Sequence, residues 1–130
     1  MAKNLTQLLK QKGIIVAPGC YDALTAKLIA KAGFEALYMT GSGVSISTLG
    51  IADVGLTTLS EMLTRVSQIA SVVQIPLIAD GDTGYGNPLN VYRTVKEYER
   101  AGASAIHLED QVMPKKCGHE LGESLSPSRR

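Results

Sequence analysis

The chain has 130 residues with 13 basic and 12 acidic side chains, which gives a formal net charge of +1. This balance excludes the strongly basic surface that nucleic acids and anionic membranes attract, and no run of residues approaches the roughly 18 apolar positions of a membrane span. Because the amino terminus lacks a secretory signal and the two cysteines suggest no disulfide framework, we expect a cytoplasmic protein of one domain.

The first third of the chain predicts two helices with one strand between them. Asn4 can cap a short amphipathic helix that ends before Gly13. The β-branched run at residues 14–19 predicts a buried strand. Asp22 can cap a second helix that ends at Gly33. The predicted apolar face of this helix includes Leu24, Leu28 and Ile29.

Two strands and one long helix follow. Residues 36–39 predict the second strand, and a long connection over residues 40–56 separates it from the next helix. Thr58 and Glu61 form the capping-box pattern that opens this helix. Its apolar residues recur at helical spacing, namely Leu59, Met62, Leu63, Val66, Ile69, Ala70 and Val73. Residues 75–80 then predict the third strand.

The last predicted helix lies between the third and fourth strands. Asn87 and Pro88 form a cap with a first-turn proline, and Gly102 closes the helix. Its predicted apolar face includes Val91, Val95 and Tyr98. Residues 104–108 predict the fourth strand.

Short apolar strands that alternate with helices indicate an α/β fold with parallel strands and right-handed crossovers. Two architectures fit four such strands: a small doubly wound sheet, and the first half of an eight-stranded (β/α)8 TIM barrel. The chain length favours the first, because about 250 residues are typical of a full barrel. The polar motifs at the strand ends favour the second.

Polar side chains collect at the predicted carboxyl ends of the strands, where parallel α/β proteins place their functional sites. Asp80 and Asp82 are separated by one glycine and are predicted to face the same way. Two ionised carboxylates this close repel each other, and a bound divalent cation such as Mg²⁺ relieves the repulsion. The alternative is that one aspartate caps the turn and the other is solvated. Glu109 on the neighbouring strand favours the metal site.

Three further features of these strand ends have both a functional and a structural interpretation. The turn TGSG at residues 40–43 can present backbone N–H groups to a carboxylate or phosphate, although glycine-rich turns after strands are common. His107 can form a pair with Glu109 that supports the metal ligands, or it can be a buried histidine with satisfied hydrogen bonds. Tyr38 can act chemically, or it can pack its ring and hydrogen-bond its hydroxyl.

A reactive-looking segment, KKCGH, lies near the carboxyl end and places Cys117 between Lys116 and Gly118. Nearby cations stabilise a thiolate, and glycine allows the close approach of a substrate. Cys117 can therefore act as a nucleophile or as a proton donor. The alternative is an exposed loop whose thiol has no role.

Four motifs occur in order along the chain, namely YMTGSG at 38–43, DGDTGYG at 80–86, HLEDQ at 107–111 and KKCGH at 115–119. With this spacing, residues 19–119 resemble the isocitrate lyase/phosphoenolpyruvate mutase superfamily. The resemblance implies a (β/α)8 barrel that binds Mg²⁺ and forms or breaks C–C or C–P bonds next to an α-keto acid.

The resemblance also implies roles for individual residues. Asp80 and Asp82 would bind Mg²⁺, or Mn²⁺ in its place, while Asp53 would lie near the metal and Glu109 in its outer shell. Cys117 would be the general acid. The substrate would be bound by Thr40, Gly41, Ser42, Lys115, Gly118 and His119.

The KKCGH segment resembles the mobile gate of the lyase branch, whereas the mutase and phosphonopyruvate hydrolase branch carries a different gate. The resemblance therefore implies retro-aldol cleavage of a small 2-hydroxy di- or tricarboxylate, of the 2-methylisocitrate or 2,3-dimethylmalate type, to pyruvate and a second acid. Tyr38 is a candidate base for this reaction. Oxaloacetate decarboxylase-like or phosphonopyruvate chemistry is the alternative within the enzyme class.

The superfamily barrel continues with four further units, whereas residues 122–130 read as a disordered tail after a half-barrel at residues 1–121. A half-barrel leaves unpaired strand edges and apolar faces, which a homo-oligomer would cover. The second interpretation is therefore a non-catalytic half-barrel that pairs with itself or with a complementary segment.

Overall fold

Helices and strands alternate along the chain in the computed structural model, which describes residues 4–11, 13–118 and 125. The helices are α1 (Leu5–Gln11), α2 (Ala23–Lys31), α3 (Gly41–Leu49), α4 (Leu59–Ala70) and α5 (Pro88–Ala101). The strands are β1 (Gly19–Cys20), β2 (Leu37–Met39), β3 (Leu77–Asp80) and β4 (Ala105–His107). The described residues contain no helix long and apolar enough to cross a membrane. The predicted tail at residues 122–130 lies outside them except for Leu125.

The predicted helix starts at α2, α4 and α5 are confirmed, because polar side chains there accept hydrogen bonds from N–H groups of the first turn. Asp22 caps α2, and Thr58 and Glu61 cap each other's backbone at the start of α4. Asn87 accepts from two N–H groups at the start of α5. Each such cap stabilises its helix by about 0.5–2 kcal/mol. Gly102 ends α5 in the left-handed conformation, with φ of 105°.

The four strands form one parallel sheet in the order β1-β2-β3-β4. Strands that are neighbours in the sheet are therefore neighbours in the sequence as well. This sequential order is that of the first half of a (β/α)8 barrel, whereas a doubly wound sheet reverses its order at a switch point. Across the described residues the order does not reverse, which confirms the half-barrel prediction over the doubly wound alternative.

The sheet has an apolar face covered by helices and a second face with polar side chains at its carboxyl end. The core on the first face includes Cys20, Leu37, Met39, Leu77, Ala79, Met62, Val66 and Ile69. Because side chains alternate along a strand, Tyr38 and Asp80 lie on the other face, and Asp80 is in register with His107. Burial of the first face thus positions the polar residues of the second.

The predicted strand at residues 14–19 is wrong except at its last residue, since among the described residues β1 pairs with β2 only over Gly19–Cys20. Ile14 and Val16 are 84% and 63% exposed. Pro18 limits the pairing, because it has no N–H to donate to the ladder. A β-branched composition therefore did not suffice to form a strand here.

Helix α3 lies within the stretch at residues 40–56 that was predicted to be a connection. Its glycine, serine and threonine residues have weak helix propensity, which explains the missed helix. Thr40 caps it by accepting a hydrogen bond from the N–H of Gly43 at 3.1 Å, and Gly50 ends it with φ of 68°. The TGSG motif is consequently the start of a helix and not an isolated turn.

Two of the predicted apolar helix faces are only partly correct. Leu24 and Leu28 of α2 are 66% and 57% exposed, whereas Ala26 is the fully buried residue of this helix. In α5, Tyr98 is buried but Val95 is 39% exposed. Fewer residues of α2 and α5 are therefore buried than the predicted apolar faces contain.

Candidate active site

The carboxyl ends of β2 and β3 and the segment after β4 line a cleft of about 600 Å³. Its lining residues are Tyr38, Thr40, Ser42, Gly43, Ile46, Asp53, Asp80, Glu109, Cys117 and Gly118. Most of the predicted site residues therefore converge, as expected at the carboxyl edge of a parallel sheet. A second groove of about 660 Å³ lies between α4 and α5, away from these residues. His119, predicted to bind substrate, lies outside the described residues.

The first turn of α3 lies directly against the end of β3. The backbone N–H of Gly41 donates a hydrogen bond to Oδ2 of Asp80 at 3.1 Å. A Cβ atom at position 41 would lie 2.7 Å from the same oxygen, so the close approach requires glycine. Ser42 follows at the wall of the cleft, where the positive end of the helix dipole favours negative charge.

The two aspartates of the DGD motif are both buried, at 7% and 4% exposure. Asp80 belongs to β3, and its Oδ1 accepts a hydrogen bond from the N–H of Asp82 at 2.9 Å. Asp82 lies after the strand and has φ of 47°. The prediction that its side chain faces the same way as that of Asp80 assumed strand geometry, which does not extend to Asp82. Tyr98, which the sequence predicted only as a core residue, donates its hydroxyl to the carbonyl oxygen of Asp80 at 2.9 Å and holds the strand end.

Lys115 lies at the centre of the acidic side chains. Its Nζ is 3.1 Å from the carboxylate of Asp53, forms a hydrogen bond with Oδ1 of Asp82, and lies 3.6 Å from Oε2 of Glu109. The lysine side chain has no exposed surface. These contacts join residues 62 and 33 positions apart in the sequence, and sequence analysis did not predict them.

Burial and charge oppose each other in this cluster. Burial raises the pKa of Asp82 and of Glu109, and the nearby ammonium of Lys115 works against that rise. Burial lowers the pKa of Lys115, but its hydrogen bonds and charge interactions with Asp82 and Asp53 outweigh this effect and raise the pKa. Lys115 is therefore a cation at neutral pH, and its single positive charge faces several acidic groups.

Tyr38 reaches past β3 to His107, and its hydroxyl lies 3.0 Å from the Nδ1 atom of that ring. Burial first, and then the negative charge of Asp80, raises the pKa of Tyr38, so its phenol is protonated at neutral pH. The HLEDQ motif predicted a pair between His107 and Glu109. Where the structure describes these residues, Glu109 instead accepts a hydrogen bond from Nε2 of Gln111 at 2.8 Å.

The two cysteines differ in their accessibility. Cys117 is half-buried and lines the cleft. Cys20 is fully buried in the core, and burial raises the pKa of its thiol to about 11. A thiol reagent used at neutral pH is therefore selective for Cys117.

Gln111 holds the segment that carries Cys117, and sequence analysis did not predict it as a site residue. Its Nε2 donates to Glu109 and also to the carbonyl oxygen of Lys116 at 3.0 Å. Its Oε1 accepts from the N–H of Lys116 at 3.1 Å. The only sequence signal for this role was its place in the HLEDQ motif, because a lone glutamine carries no characteristic spacing.

The acidic cluster fits a hard divalent cation in its donor chemistry. Its donors are carboxylate oxygens, which Mg²⁺ prefers, and Oδ2 of Asp82 is buried without a hydrogen-bond partner. In the part of the chain that the structure describes, however, no three acidic, histidine or cysteine side chains are grouped so as to hold a metal ion. The ammonium of Lys115 lies among Asp53, Asp82 and Glu109.

A family model described as phosphoenolpyruvate phosphomutase matches residues 5–126, nearly the whole chain. The chain belongs to the phosphoenolpyruvate mutase/isocitrate lyase superfamily. This confirms the resemblance that the four sequence motifs indicated.

Two curated relatives and one solved structure show the extent of the similarity within the superfamily. The chain is 55% identical to 2,3-dimethylmalate lyase of Eubacterium barkeri over 95% of its own length, and 51% identical to 2-methylisocitrate lyase of Aeropyrum pernix over 93%. It covers 43% and 39% of those two proteins. A crystal structure of a 2,3-dimethylmalate lyase matches with a TM-score of 0.88 at 45% identity, over 98% of this chain and 44% of that one. The chain thus spans less than half the length of these relatives.

Proposed function

We propose that this superfamily member is a Mg²⁺-dependent carbon–carbon lyase. Its substrate would be a small 2-hydroxy di- or tricarboxylate of the 2-methylisocitrate or 2,3-dimethylmalate type, cleaved to pyruvate and a second carboxylic acid. The observation that carries this proposal is that Cys117 lines the same cleft as Tyr38, Asp80 and Glu109. A proton donor thereby lies beside acidic residues that suit a divalent cation. Cleavage of a C–C bond leaves an electron pair on carbon, so it requires a proton donor for that carbon and is favoured by a cation that stabilises the developing charge.

Asp80 and Asp82 would hold the metal ion, with Asp53 and Glu109 around them. A bound Mg²⁺ or Mn²⁺ ion supplies Lewis-acid chemistry, which lowers the pKa of a substrate hydroxyl. The buried Oδ2 of Asp82 supports this assignment, because a buried carboxylate oxygen without a hydrogen-bond partner is unfavourable and a bound cation would satisfy it.

The first turn of α3 would bind a substrate carboxylate. Within this turn, the N–H of Gly41 is engaged by Asp80 and the N–H of Gly43 by Thr40. Ser42 therefore supplies the backbone and hydroxyl donors for the substrate, and the helix dipole adds to their effect. Across the cleft, Gly118 has no side chain and leaves room for the substrate beside the thiol.

Two proton transfers complete the proposed reaction. A base removes the proton of the 2-hydroxyl, the oxygen electrons form the carbonyl of the 2-oxo product, and the C–C bond breaks with its electron pair on the second fragment. Cys117 then donates its thiol proton to that carbon. Tyr38 is the candidate base. Because its pKa is raised, only the small phenolate fraction of Tyr38 can accept this proton.

Carbon–phosphorus chemistry is the second candidate, since the matching family model is named for a phosphomutase. Oxaloacetate decarboxylation, which also breaks a C–C bond, is a further alternative. Transfer of a phosphoryl group between carbon and oxygen does not require a thiol as proton donor. The half-buried Cys117 in the cleft therefore favours carbon–carbon cleavage over phosphoryl transfer.

Measuring product release from a panel of acids tests the proposed function. The purified chain is incubated with 2-methylisocitrate, 2,3-dimethylmalate, oxaloacetate or phosphonopyruvate, in each case with Mg²⁺ or with a chelator. Because the proposed cleavage requires the ion, we expect 2-oxo acid release from 2-methylisocitrate or 2,3-dimethylmalate with Mg²⁺ and no release with the chelator. Release of phosphate from phosphonopyruvate would favour the second candidate, and pyruvate release from oxaloacetate above the enzyme-free rate would favour decarboxylation. No turnover of any acid would favour the non-catalytic half-barrel.

We also propose that the chain forms a homo-oligomer. Within the described residues, β1 and β4 are the edge strands of the sheet, and each pairs with one neighbour. The apolar residues Ile14, Val16 and Leu108 near these strands are exposed. Unpaired edges flanked by apolar side chains favour pairing with another copy. Size-exclusion chromatography with light scattering should therefore give the mass of at least two chains, and a single-chain mass would contradict the proposal.

A further inference from the structure

Lys115 lies among three of the four acidic side chains that would surround the proposed metal ion. Its Nζ contacts the carboxylates of Asp53 and Asp82 and lies 3.6 Å from that of Glu109. Asp82 is one of the two proposed ligands, and Asp53 and Glu109 are the groups proposed to lie around the ion. Like charges a few ångströms apart in a buried site repel strongly, so the ammonium and a divalent ion cannot share these oxygens.

The lysine is held in this position by its stem as well as by its charge. A Cβ atom at Gly55 would lie 3.1 Å from Cγ of Lys115, so the stem packs closely along the glycine backbone. Burying a long cationic side chain is unfavourable in both solvation and conformational entropy unless strong contacts compensate. The contacts with Asp53 and Asp82 provide that compensation and keep the side chain charged.

Lys115 is also connected to the thiol of the cleft. Lys116, the residue between Lys115 and Cys117, is fixed by two hydrogen bonds to Gln111. Gln111 in turn donates to Glu109, which belongs to the same acidic cluster. Withdrawal of Lys115 from the cluster therefore acts on the short segment that carries Cys117.

We propose that Lys115 is an internal competitor of the divalent cation, which displaces the lysine, and with it the Cys117 segment, when it binds. This inference rests on the metal site of the proposed function and adds a coupling between ion binding and the position of the thiol. The exchange is favourable in charge, because Mg²⁺ brings two positive charges to the acidic cluster where the ammonium brings one. The unpartnered Oδ2 of Asp82 provides an oxygen at which the ion can first bind.

Isothermal titration calorimetry with MgCl₂ tests the competition. Lys115→Met removes the ammonium and keeps a flexible apolar stem in the buried slot. If the lysine occupies the site in most molecules, its removal should tighten Mg²⁺ binding by about tenfold or more, because apparent affinity scales with the fraction of competent protein. Lys116→Met is the matched control, since it removes the same charge from an exposed neighbour. Unchanged affinity in Lys115→Met, or an equal gain in both variants, would overturn the competition.

Thiol labelling provides a second measurement, and it needs no substitution. A maleimide at neutral pH reports on Cys117, because Cys20 is buried and has a pKa of about 11. Mg²⁺ should change the labelling rate of the unsubstituted chain, and it should have no effect on the rate of Lys115→Met, in which no lysine remains to be displaced. A labelling rate that stays constant while calorimetry shows Mg²⁺ binding would overturn the coupling.

The two experiments separate this inference from the function on which it rests. Absence of Mg²⁺ binding in both the unsubstituted chain and Lys115→Met would overturn the metal site and the competition together. Binding that is independent of Lys115 would overturn the competition alone. Circular dichroism shows whether Lys115→Met is folded. If this variant does not fold, the Mg²⁺ dependence of labelling in the unsubstituted chain still tests the coupling.

Discussion

Replacing Cys117 with serine should lower the rate of the proposed carbon–carbon cleavage by about 10²–10⁴-fold, the usual contribution of one positioned proton donor. The substitution keeps the size and half-buried position of the side chain in the cleft. A serine hydroxyl is a much weaker acid than a thiol, so it transfers a proton to carbon far more slowly. Steady-state release of the 2-oxo acid at saturating Mg²⁺ measures the effect.

Two controls show whether the loss is chemical. Mg²⁺ affinity of Cys117→Ser should match that of the unsubstituted chain, since the proposed ligands are the carboxylates of Asp80 and Asp82 and not the thiol. Cys20→Ala tests the other cysteine, which lies in the core outside the cleft, and should retain turnover. Full activity of Cys117→Ser would remove the thiol from the mechanism without affecting the proposed role of the acidic residues.

Replacing Ile69 with alanine should lower the free energy of unfolding by about 2–5 kcal/mol, the range for large-to-small changes in a packed core. Ile69 is completely buried and packs in the cluster between α4 and the sheet. Truncation removes apolar contacts and leaves a cavity that the rigid sheet cannot fill. Urea unfolding followed by circular dichroism measures the change through its midpoint and slope.

Leu89 provides the matched control for this stability prediction. It lies in the first turn of α5 and is 81% exposed. Leu89→Ala removes a comparable number of carbon atoms and should change the free energy of unfolding by less than about 0.5 kcal/mol. Similar losses in the two variants would show that the helix-covered face is not the main source of stability.

The starts of α2, α4 and α5 were well predicted because local side chains determine them. Asp22, Thr58 and Asn87 each satisfy N–H groups within their own first turn, so a few neighbouring residues contain the signal. Strand length is different, because it depends on a partner far away in the sequence. Ile14 and Val16 illustrate this, since nothing in their β-branched composition shows that the described pairing with β2 begins only at Gly19.

The candidate site could be predicted as a set of residues but not as a network of contacts. Asp80 ends β3, and Glu109 and Cys117 follow β4. Parallel topology brings the carboxyl ends of these strands, and with them these residues, to one cleft. The place of Lys115 depends on where a long, flexible side chain folds back from a later segment. Its partners are 33 and 62 residues away, a separation over which sequence spacing carries no information.

Because Gly41 contacts Asp80, the substitutions tolerated at one of these positions depend on the residue at the other. Any side chain at position 41 would collide with the carboxylate, which is 2.7 Å from the place of its Cβ atom. A shorter residue at position 80 would relieve the collision but would also remove the acid. Substitution of Gly41 is therefore disfavoured for as long as position 80 is an aspartate. In a relative that had lost this aspartate, the constraint on position 41 would be gone as well.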